Sequence, residues 1–187
     1  MIPDVLEHRL AEHCAPTLLG AKAASLLSLS REEFPELPEA LRRYNRTLYR
    51  TGLRFLILRE TSQRSLILVF RPALLRSRLN TAGAKALLQR FGYPETDCLG
   101  VLLRQLKGRF TPGGDFPHEI GLFLDYPPED VEAFISGSSE CKLCGYWKVY
   151  GDVDGARERF ACYDACRLCL CRMLAAGNTI SQLLQTA

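Results

Sequence analysis

Six of the eight cysteines lie in the last quarter of this 187-residue chain. Cys141 and Cys144 form a Cys-x2-Cys turn, which lets two sulfurs meet one metal ion. After seventeen intervening residues comes a second group, made of Cys162, Cys166, Cys169 and Cys171. Thiolates are soft ligands that suit zinc and iron–sulfur clusters. The spacing therefore predicts a zinc or iron–sulfur site in the C-terminal region.

The second cysteine group has the period of a helix. At about 100° per residue, three thiols fall in one narrow stripe and Cys171 lies on the opposite side. The predicted metal ligands are therefore Cys141, Cys144, Cys162, Cys166 and Cys169. The same stripe also fits simple packing, because a free cysteine behaves as a small hydrophobic residue. Reversible thiol redox chemistry is a third interpretation, and the sequence leaves all three open.

His118 and Glu119 form a second candidate site, because they follow a loop rich in glycine and proline. Histidine exchanges protons near neutral pH, so the pair suggests the acid–base centre of a small enzyme. Lys22 would join it as a nucleophile or anion ligand if burial lowered its pKa. The simpler alternatives are a loop hydrogen bond for His118, a strand-edge or cap contact for Glu119, and a surface position for Lys22.

A block of positive charge forms the third candidate. Residues 42–78 contain ten arginines and one acidic residue, Glu60. Arg42, Arg46 and Arg50 repeat every four residues, so one helix would present them on one face. Guanidinium groups bind phosphates, which predicts a surface for nucleic acid or a phosphorylated ligand over Arg42–Arg78. The alternative is a solvated face that pairs with acidic groups of the same chain.

An aromatic cluster, Tyr146, Trp147 and Tyr150, completes the candidates. Alternation along a strand would place Trp147 on the opposite face from the two tyrosines. Core packing is the simplest role, and a wall for a flavin or nucleotide is the alternative. The sequence contains no glycine fingerprint for dinucleotides and no phosphate-binding P-loop motif.

These side chains are carried by irregularly mixed helices and strands. Helices are expected over 3–13, 38–50, 73–91, 96–107, 127–135 and 154–176, with a last turn or two over 179–185. Strands are expected over 24–29, 53–59, 64–71, 119–124 and 145–150. The second and third form a hairpin, and the third is central because both of its faces are apolar. The pattern predicts an α+β fold with a four- or five-stranded, mainly antiparallel or mixed sheet and a long C-terminal helix.

Length and composition set wider limits. A chain of 187 residues with 47% hydrophobic and 24% charged residues predicts a single globular domain over 1–187. The chain shows no secretory signal and no apolar run of about 20 residues, so we expect a cytoplasmic protein without a membrane partner. In that compartment, cysteines serve as free thiols, metal ligands or redox groups more often than as disulfides.

Three segments resemble a known bacterial family. They are HCAPTLLGAKAASL (13–26), FPHEIGLFLDYPPEDVEAFI (116–135) and CGYWKVYGD (144–152), in the expected order. The chain resembles the domain of unknown function 3793, a family found mainly in Firmicutes, over nearly its whole length. The resemblance implies no catalytic residues, and it implies a redox or iron-related partner. The full C-terminal cysteine set departs from the family pattern.

The combined prediction is an uncharacterised accessory or binding protein with a cysteine-based metal or redox role. Its cofactor would be zinc or an iron–sulfur cluster. Binding of nucleic acid or a phosphorylated ligand through the arginine block is one alternative. A small enzyme centred on His118 and Glu119 is the other. Whether the chain is an enzyme stays open, as do its substrate and oligomeric state.

Overall fold

A computed structural model describes residues 5–111, 114–137 and 140–185. The chain divides into two compact units. The first comprises the residues up to Pro72 together with those from Tyr163 onward, and the second comprises Ala73–Cys162. The expectation of a single domain stays a prediction.

The first unit is built on a three-stranded antiparallel sheet. Its strands are β1 (Ala24–Ser30), β2 (Arg54–Glu60) and β3 (Arg64–Phe70), in the order β1-β3-β2. The four residues from Ile67 to Phe70 are buried, because β3 is paired on both edges and lies against the core. The predicted hairpin and the central position of its second strand are confirmed.

Helices from both ends of the chain complete this unit. They are α1 (Val5–Leu18), α2 (Leu37–Thr47), the C-terminal part of α8 (Val153–Ala175) and α9 (Ile180–Gln185). Apolar side chains of all four helices share one core with the sheet. The buried carboxylate of Glu7 accepts hydrogen bonds from the Tyr44 hydroxyl and from the Ile180 N–H, both at 3.2 Å. This carboxylate therefore caps the start of α9 from within α1.

The second unit is mainly helical. It contains α3 (Pro72–Leu79), α4 (Ala82–Arg90), α5 (Leu99–Arg109), α6 (Ile120–Phe123), α7 (Pro128–Ser136) and the N-terminal part of α8. A short hairpin, β4 (Leu143–Cys144) with β5 (Lys148–Val149), lies between α7 and α8. Asp152 accepts a hydrogen bond from the Gly155 N–H and caps α8. Residues 112–113 and 138–139 of this unit fall outside the described residues.

The α+β class, antiparallel pairing and long C-terminal helix are confirmed. In the described residues the five strands form two sheets, of three and two strands. The strand expected over 119–124 is wrong, because those residues form the helical turn α6. The strand expected over 145–150 is a hairpin that turns at Gly145–Trp147. The N-terminal helix was expected to end before Pro16, but it continues through this proline to Leu18.

None of the helices in the described residues is long and apolar enough to cross a lipid bilayer.

Candidate functional site

An apolar cavity of about 370 Å³ lies in the second unit. Its walls come from the segment that leads into α6, from α6 and α7, and from the β4–β5 hairpin. The lining residues are Phe116, His118, Ile120, Gly121, Leu124, Tyr126, Asp130, Val131, Phe134, Trp147 and Lys148. At Gly121 a Cβ atom would lie 2.8 Å from Val131 Cγ2. A glycine at this position therefore lets α6 pack closely against Val131 of α7.

Aromatic rings support one another around the cavity. The Tyr126 and Trp147 rings are stacked with centroids 5.2 Å apart, and Trp147 also meets the Phe160 ring edge-on at 4.5 Å. Across the cavity the His118 ring meets Phe134 edge-on at 5.2 Å. Such pairs add about 0.5–1.5 kcal/mol each beyond the burial of their surface. The wall is consequently held by ring packing before any ligand is present.

Asp130 fixes the hairpin against α7. Its Oδ2 atom accepts a hydrogen bond from the Trp147 indole N–H at 2.7 Å. Its Oδ1 atom accepts the backbone N–H groups of Tyr150 and Gly151, both at 2.8 Å. The carboxylate is buried and lies in the first turn of α7, where the helix dipole favours negative charge. These contacts leave Asp130 as a structural anchor within the cavity wall.

Positive charge lies at the open side of the cavity. Lys148 is exposed, and its ammonium group lies 5.5 Å from the centre of the Phe134 ring. His118 is also exposed and lines the same opening. Among the described residues of the lining, Asp130 is the only acidic one, and both of its oxygens already accept hydrogen bonds. The lining therefore presents an apolar interior with basic side chains at its edge.

Glu119 is separated from His118 in its role, although the two are neighbours in sequence. Its carboxylate is buried, forms an ion pair with Arg109 and accepts a hydrogen bond from the Tyr93 hydroxyl at 3.2 Å. Burial and the adjacent negative charge of Glu119 raise the pKa of Tyr93. These contacts support the structural alternative for Glu119. His118 alone of the predicted pair lines the apolar cavity.

Lys22 lies in the first unit and is only 5% exposed, so the surface position expected for it is wrong. Its ammonium group lies 5.7 Å from the centre of the Tyr163 ring, within the same unit. Cys14 is fully buried nearby, and burial raises the pKa of its thiol to about 12, while the charge of Lys22 opposes that rise. Lys22 thus stands in a different unit from His118.

Cys141 and Cys144 are brought together on the β4–β5 hairpin. Their Sγ atoms lie 3.1 Å apart, and Cys144 is exposed. The hydrogen bond with Cys141 raises the pKa of the Cys144 thiol, and the charge of Lys148 opposes the rise. Within the described ranges 5–111, 114–137 and 140–185, no three His, Cys, Asp or Glu side chains converge on a possible metal position. The five-cysteine site stays a prediction.

The helical cysteine stripe is directed largely to solvent. Cys162 and Cys169 are exposed on α8, and Cys166 is half-buried. Cys169 Sγ lies 3.9 Å from Met173 Sδ, which is also partly exposed. The buried face of α8 instead carries Ala156, Tyr163, Leu170 and Leu174. Core packing therefore does not explain the exposed thiols, contrary to the simplest interpretation of the stripe.

The three arginines of the predicted anion site are exposed. Arg42 and Arg46 lie on α2, and Arg42 pairs with Glu39 at 3.0 Å. Because α2 ends at Thr47, Arg50 belongs to the following 3-10 turn and does not continue that helix face. Arg71 has a structural role, since it donates to the carbonyl groups of Thr17, Leu18 and Thr51. Anion binding by the exposed arginines stays a prediction.

Comparison with known protein families shows to which family the chain belongs. A family model described as "Protein of unknown function (DUF3793)" matches residues 10–184. The chain belongs to the DUF3793 family. A search of curated proteins and a search of solved structures each found no match. In this DUF3793 protein, the features with chemical potential are the apolar cavity and the exposed thiols.

The sequence indicated His118 and Trp147 as candidate site residues, but it did not indicate most of the other residues that line the cavity. Phe116 and Phe134 are both partly exposed, although large aromatic side chains usually bury most of their surface. The segment 116–135 contains most of the lining, so its density of aromatic residues was the available signal. The role of Asp130 has no local signal in the sequence, because its three partners follow it by 17 to 21 positions.

Proposed function

We propose that this DUF3793 protein binds a small molecule that has a planar apolar body and one anionic group. The observation that carries the proposal is the aromatic cavity with Lys148 at its edge. A volume of about 370 Å³ lies within the range of about 300–1,000 Å³ typical of ligand pockets. The lining rings of Phe116 and Phe134 are partly exposed and offer surfaces on which a planar ligand can stack.

The charge distribution supports an anionic group. A carboxylate, sulfonate or phosphate at the opening would lie near Lys148 and near His118. An exposed charge pair of this kind contributes about 0.2–1 kcal/mol, so burial of the apolar body supplies most of the affinity. The anion therefore orients the ligand more than it retains it. Asp130 accepts hydrogen bonds from three donors, which stabilise its own negative charge.

The geometry favours binding over catalysis. General acid–base catalysis requires a proton-transferring group within reach of the reacting atom, usually with a partner group. Among the lining residues that the structure describes, the one carboxylate is that of Asp130, which anchors the hairpin, and the neighbouring Glu119 pairs with Arg109. We therefore favour binding, and the small enzyme centred on His118 and Glu119 stays a prediction.

Fluorescence gives a direct test, because Trp147 is the only tryptophan of the chain and lines the cavity. The probes are anilinonaphthalene sulfonate and the uncharged phenylnaphthylamine, which share an apolar body. We expect saturable binding of one probe molecule per chain, with energy transfer from Trp147. Lys148→Met should weaken binding of the sulfonate by about fivefold, equivalent to about 1 kcal/mol, and leave the uncharged probe unaffected.

Two variants serve as controls. Lys142→Met removes a charge from the same hairpin outside the cavity lining, and it should leave both affinities unchanged. Phe134→Ala removes part of the wall at a partly exposed position, so it should weaken both probes without unfolding the chain. Equal binding of both probes to wild type and Phe134→Ala, with unchanged circular dichroism, would contradict the proposal.

A second candidate function is cysteine-based metal or redox chemistry. The specific observation in its favour is the 3.1 Å separation of the Cys141 and Cys144 sulfurs on an ordered hairpin. Anaerobic purification followed by elemental analysis tests it. We expect bound zinc or iron in wild type and its loss in the Cys141→Ser/Cys144→Ser variant. A metal content of zero, together with thiols that resist both oxidation and added zinc, would remove this candidate.

A further inference from the structure

We infer that Cys141 and Cys144 form one half of a tetrathiolate site for a thiophilic divalent cation such as Zn²⁺, completed by the same two residues of a second copy of the chain. The inference rests on the second proposed function, cysteine-based metal binding. It adds the ligand set and the partner.

The distance between the two sulfurs suits chelation. Zinc with four sulfur ligands is tetrahedral with Zn–S bonds of about 2.3 Å, which places neighbouring sulfurs about 3.8 Å apart. The Sγ atoms of Cys141 and Cys144 lie 3.1 Å apart. Small rotations of the two side chains would open the pair by the remaining distance of about 0.7 Å. The backbone can therefore stay as it is.

The backbone that carries the two cysteines is already fixed. Within the hairpin, the Lys142 N–H donates to Val149 at 2.9 Å and the Gly145 N–H donates to Trp147 at 3.1 Å. The Tyr126 hydroxyl donates to the Tyr146 carbonyl at 3.1 Å. A structural metal site needs this kind of preorganised support, because ordering the ligands would otherwise reduce affinity.

The site is incomplete within one chain. Structural zinc sites have four protein ligands, and here the pair of sulfurs supplies two. No third His, Cys, Asp or Glu joins them among the described residues. The exposed Cys144 leaves the open side of the pair accessible to another molecule. A second hairpin of the same sequence supplies the two missing thiolates with the same geometry.

Charge favours this pairing of two copies. Binding follows Zn²⁺ + 4 RSH → [Zn(SR)4]²⁻ + 4 H⁺, so the centre carries two negative charges. Each hairpin carries two exposed lysines, Lys142 and Lys148. Two copies would therefore bring four positive charges to the hairpins that meet at the dianionic centre. Without the metal the same groups would repel one another, so association should depend on the cation.

Mass measurement on the full reduced chain tests the inference. Zinc chloride is added anaerobically to wild type, and light scattering after size exclusion gives the mass. We expect half an equivalent of zinc per chain and a doubling from 21.0 kDa, reversed by a chelator. Cobalt in place of zinc should give the absorption bands of a tetrahedral tetrathiolate centre. Cys144→Ser should abolish zinc uptake and doubling, whereas the exposed control Cys162→Ser should preserve both.

The remaining outcomes separate the inference from the function on which it rests. One zinc per chain without doubling overturns the shared site but keeps the proposed metal role. No zinc uptake by the reduced chain overturns both the shared site and zinc binding by the two thiols. A mass that is equal with zinc and with chelator overturns the shared site. A dimer that resists chelator and dissociates in reductant also overturns it, because that dimer is a disulfide.

Discussion

At the scale of a single residue, Asp130 joins α7 to the β4–β5 hairpin in the cavity wall. Its carboxylate satisfies the Trp147 indole and the backbone N–H groups of Tyr150 and Gly151. All three donors would otherwise be left without this acceptor, and an unsatisfied buried donor costs about 1–3 kcal/mol. The energetic role of Asp130 is therefore larger than that of an exposed ion pair.

Replacement of Asp130 by alanine should lower the free energy of unfolding by about 3 kcal/mol, because it leaves the buried Trp147 indole N–H and two partly buried backbone N–H groups without their acceptor. Denaturant unfolding followed by Trp147 fluorescence measures this change. Asp154→Ala is the matched control. The Asp154 carboxylate is exposed, and the variant loses an exposed ion pair in which Asp154 Oδ1 lies 3.5 Å from Arg157 Nη1. The control should change stability by less than about 0.5 kcal/mol. Equal effects of the two variants would show that Asp130 does not anchor the hairpin.

At the scale of elements, the short β4–β5 hairpin depends on packing against α8. Gly145 lies at the turn directly under the Phe160 ring, with no room for a Cβ atom. The same ring contacts Tyr146 at 5.5 Å and Trp147 at 4.5 Å between centroids. A hairpin with four strand residues has little stability of its own, so these contacts hold it in place.

Gly145→Ala should therefore destabilise the second unit by about 1–3 kcal/mol, because the added methyl group forces Phe160 or the turn to move. Thermal unfolding followed by Trp147 fluorescence provides the measurement. Gly108→Ala on α5 is the control, since nothing lies within 4 Å of a Cβ atom there. This control should stabilise the chain by up to about 1 kcal/mol through helix propensity. A neutral Gly145→Ala would mean that Phe160 does not support the turn.

The elements also show what sequence could predict. The hairpin of β2 and β3 and the helices α7, α8 and α9 followed from local patterns of apolar residues, caps and turn residues. The prediction of a strand at α6 was wrong because all four residues of α6 are buried. An all-apolar run has no period that distinguishes a strand from a helix. The turn inside 145–150 was not predicted, because it depends on packing against Phe160, which is distant in sequence.

The candidate site was predictable to a smaller extent for the same physical reason. His118 and Trp147 were identified from residue type and local position. Phe134 and Asp130 acquire their roles only where the α7 and hairpin segments meet. The Cys141–Cys144 contact was predictable because two residues of one short turn cannot lie far apart. Convergence of side chains from separate elements requires the tertiary structure.

At the scale of the whole molecule, the first unit is assembled from both ends of the chain. The second unit is inserted between Pro72 and Tyr163. Leu170 and Leu174 of α8 and Ile180 and Leu184 of α9 join a core otherwise formed by residues 6–69. The Glu7 carboxylate of α1 also depends on the Ile180 N–H. The N-terminal residues therefore cannot complete their core without the C-terminal helices.

Truncation after Ala175, which removes α9, should consequently open the first unit and leave the second unit folded. Loss of Ile180 and Leu184 removes about 1.5–3 kcal/mol of apolar burial for each side chain. Cys14, fully buried in the first unit, reports the effect through its alkylation rate by mass spectrometry. Its thiol should react at least about tenfold faster at neutral pH after truncation, the ratio that a loss of about 1.4 kcal/mol would produce.

Trp147 fluorescence reports the second unit in the same sample, and its emission should match that of wild type. A chain that ends at Gln185 retains α9 and is the matched control, so its Cys14 should stay protected. Protection of Cys14 in the chain that ends at Ala175 would show that the first unit stays folded without α9. A simultaneous loss of Cys14 protection and of the Trp147 signal would show that the two units unfold as one, since separate units give separate transitions.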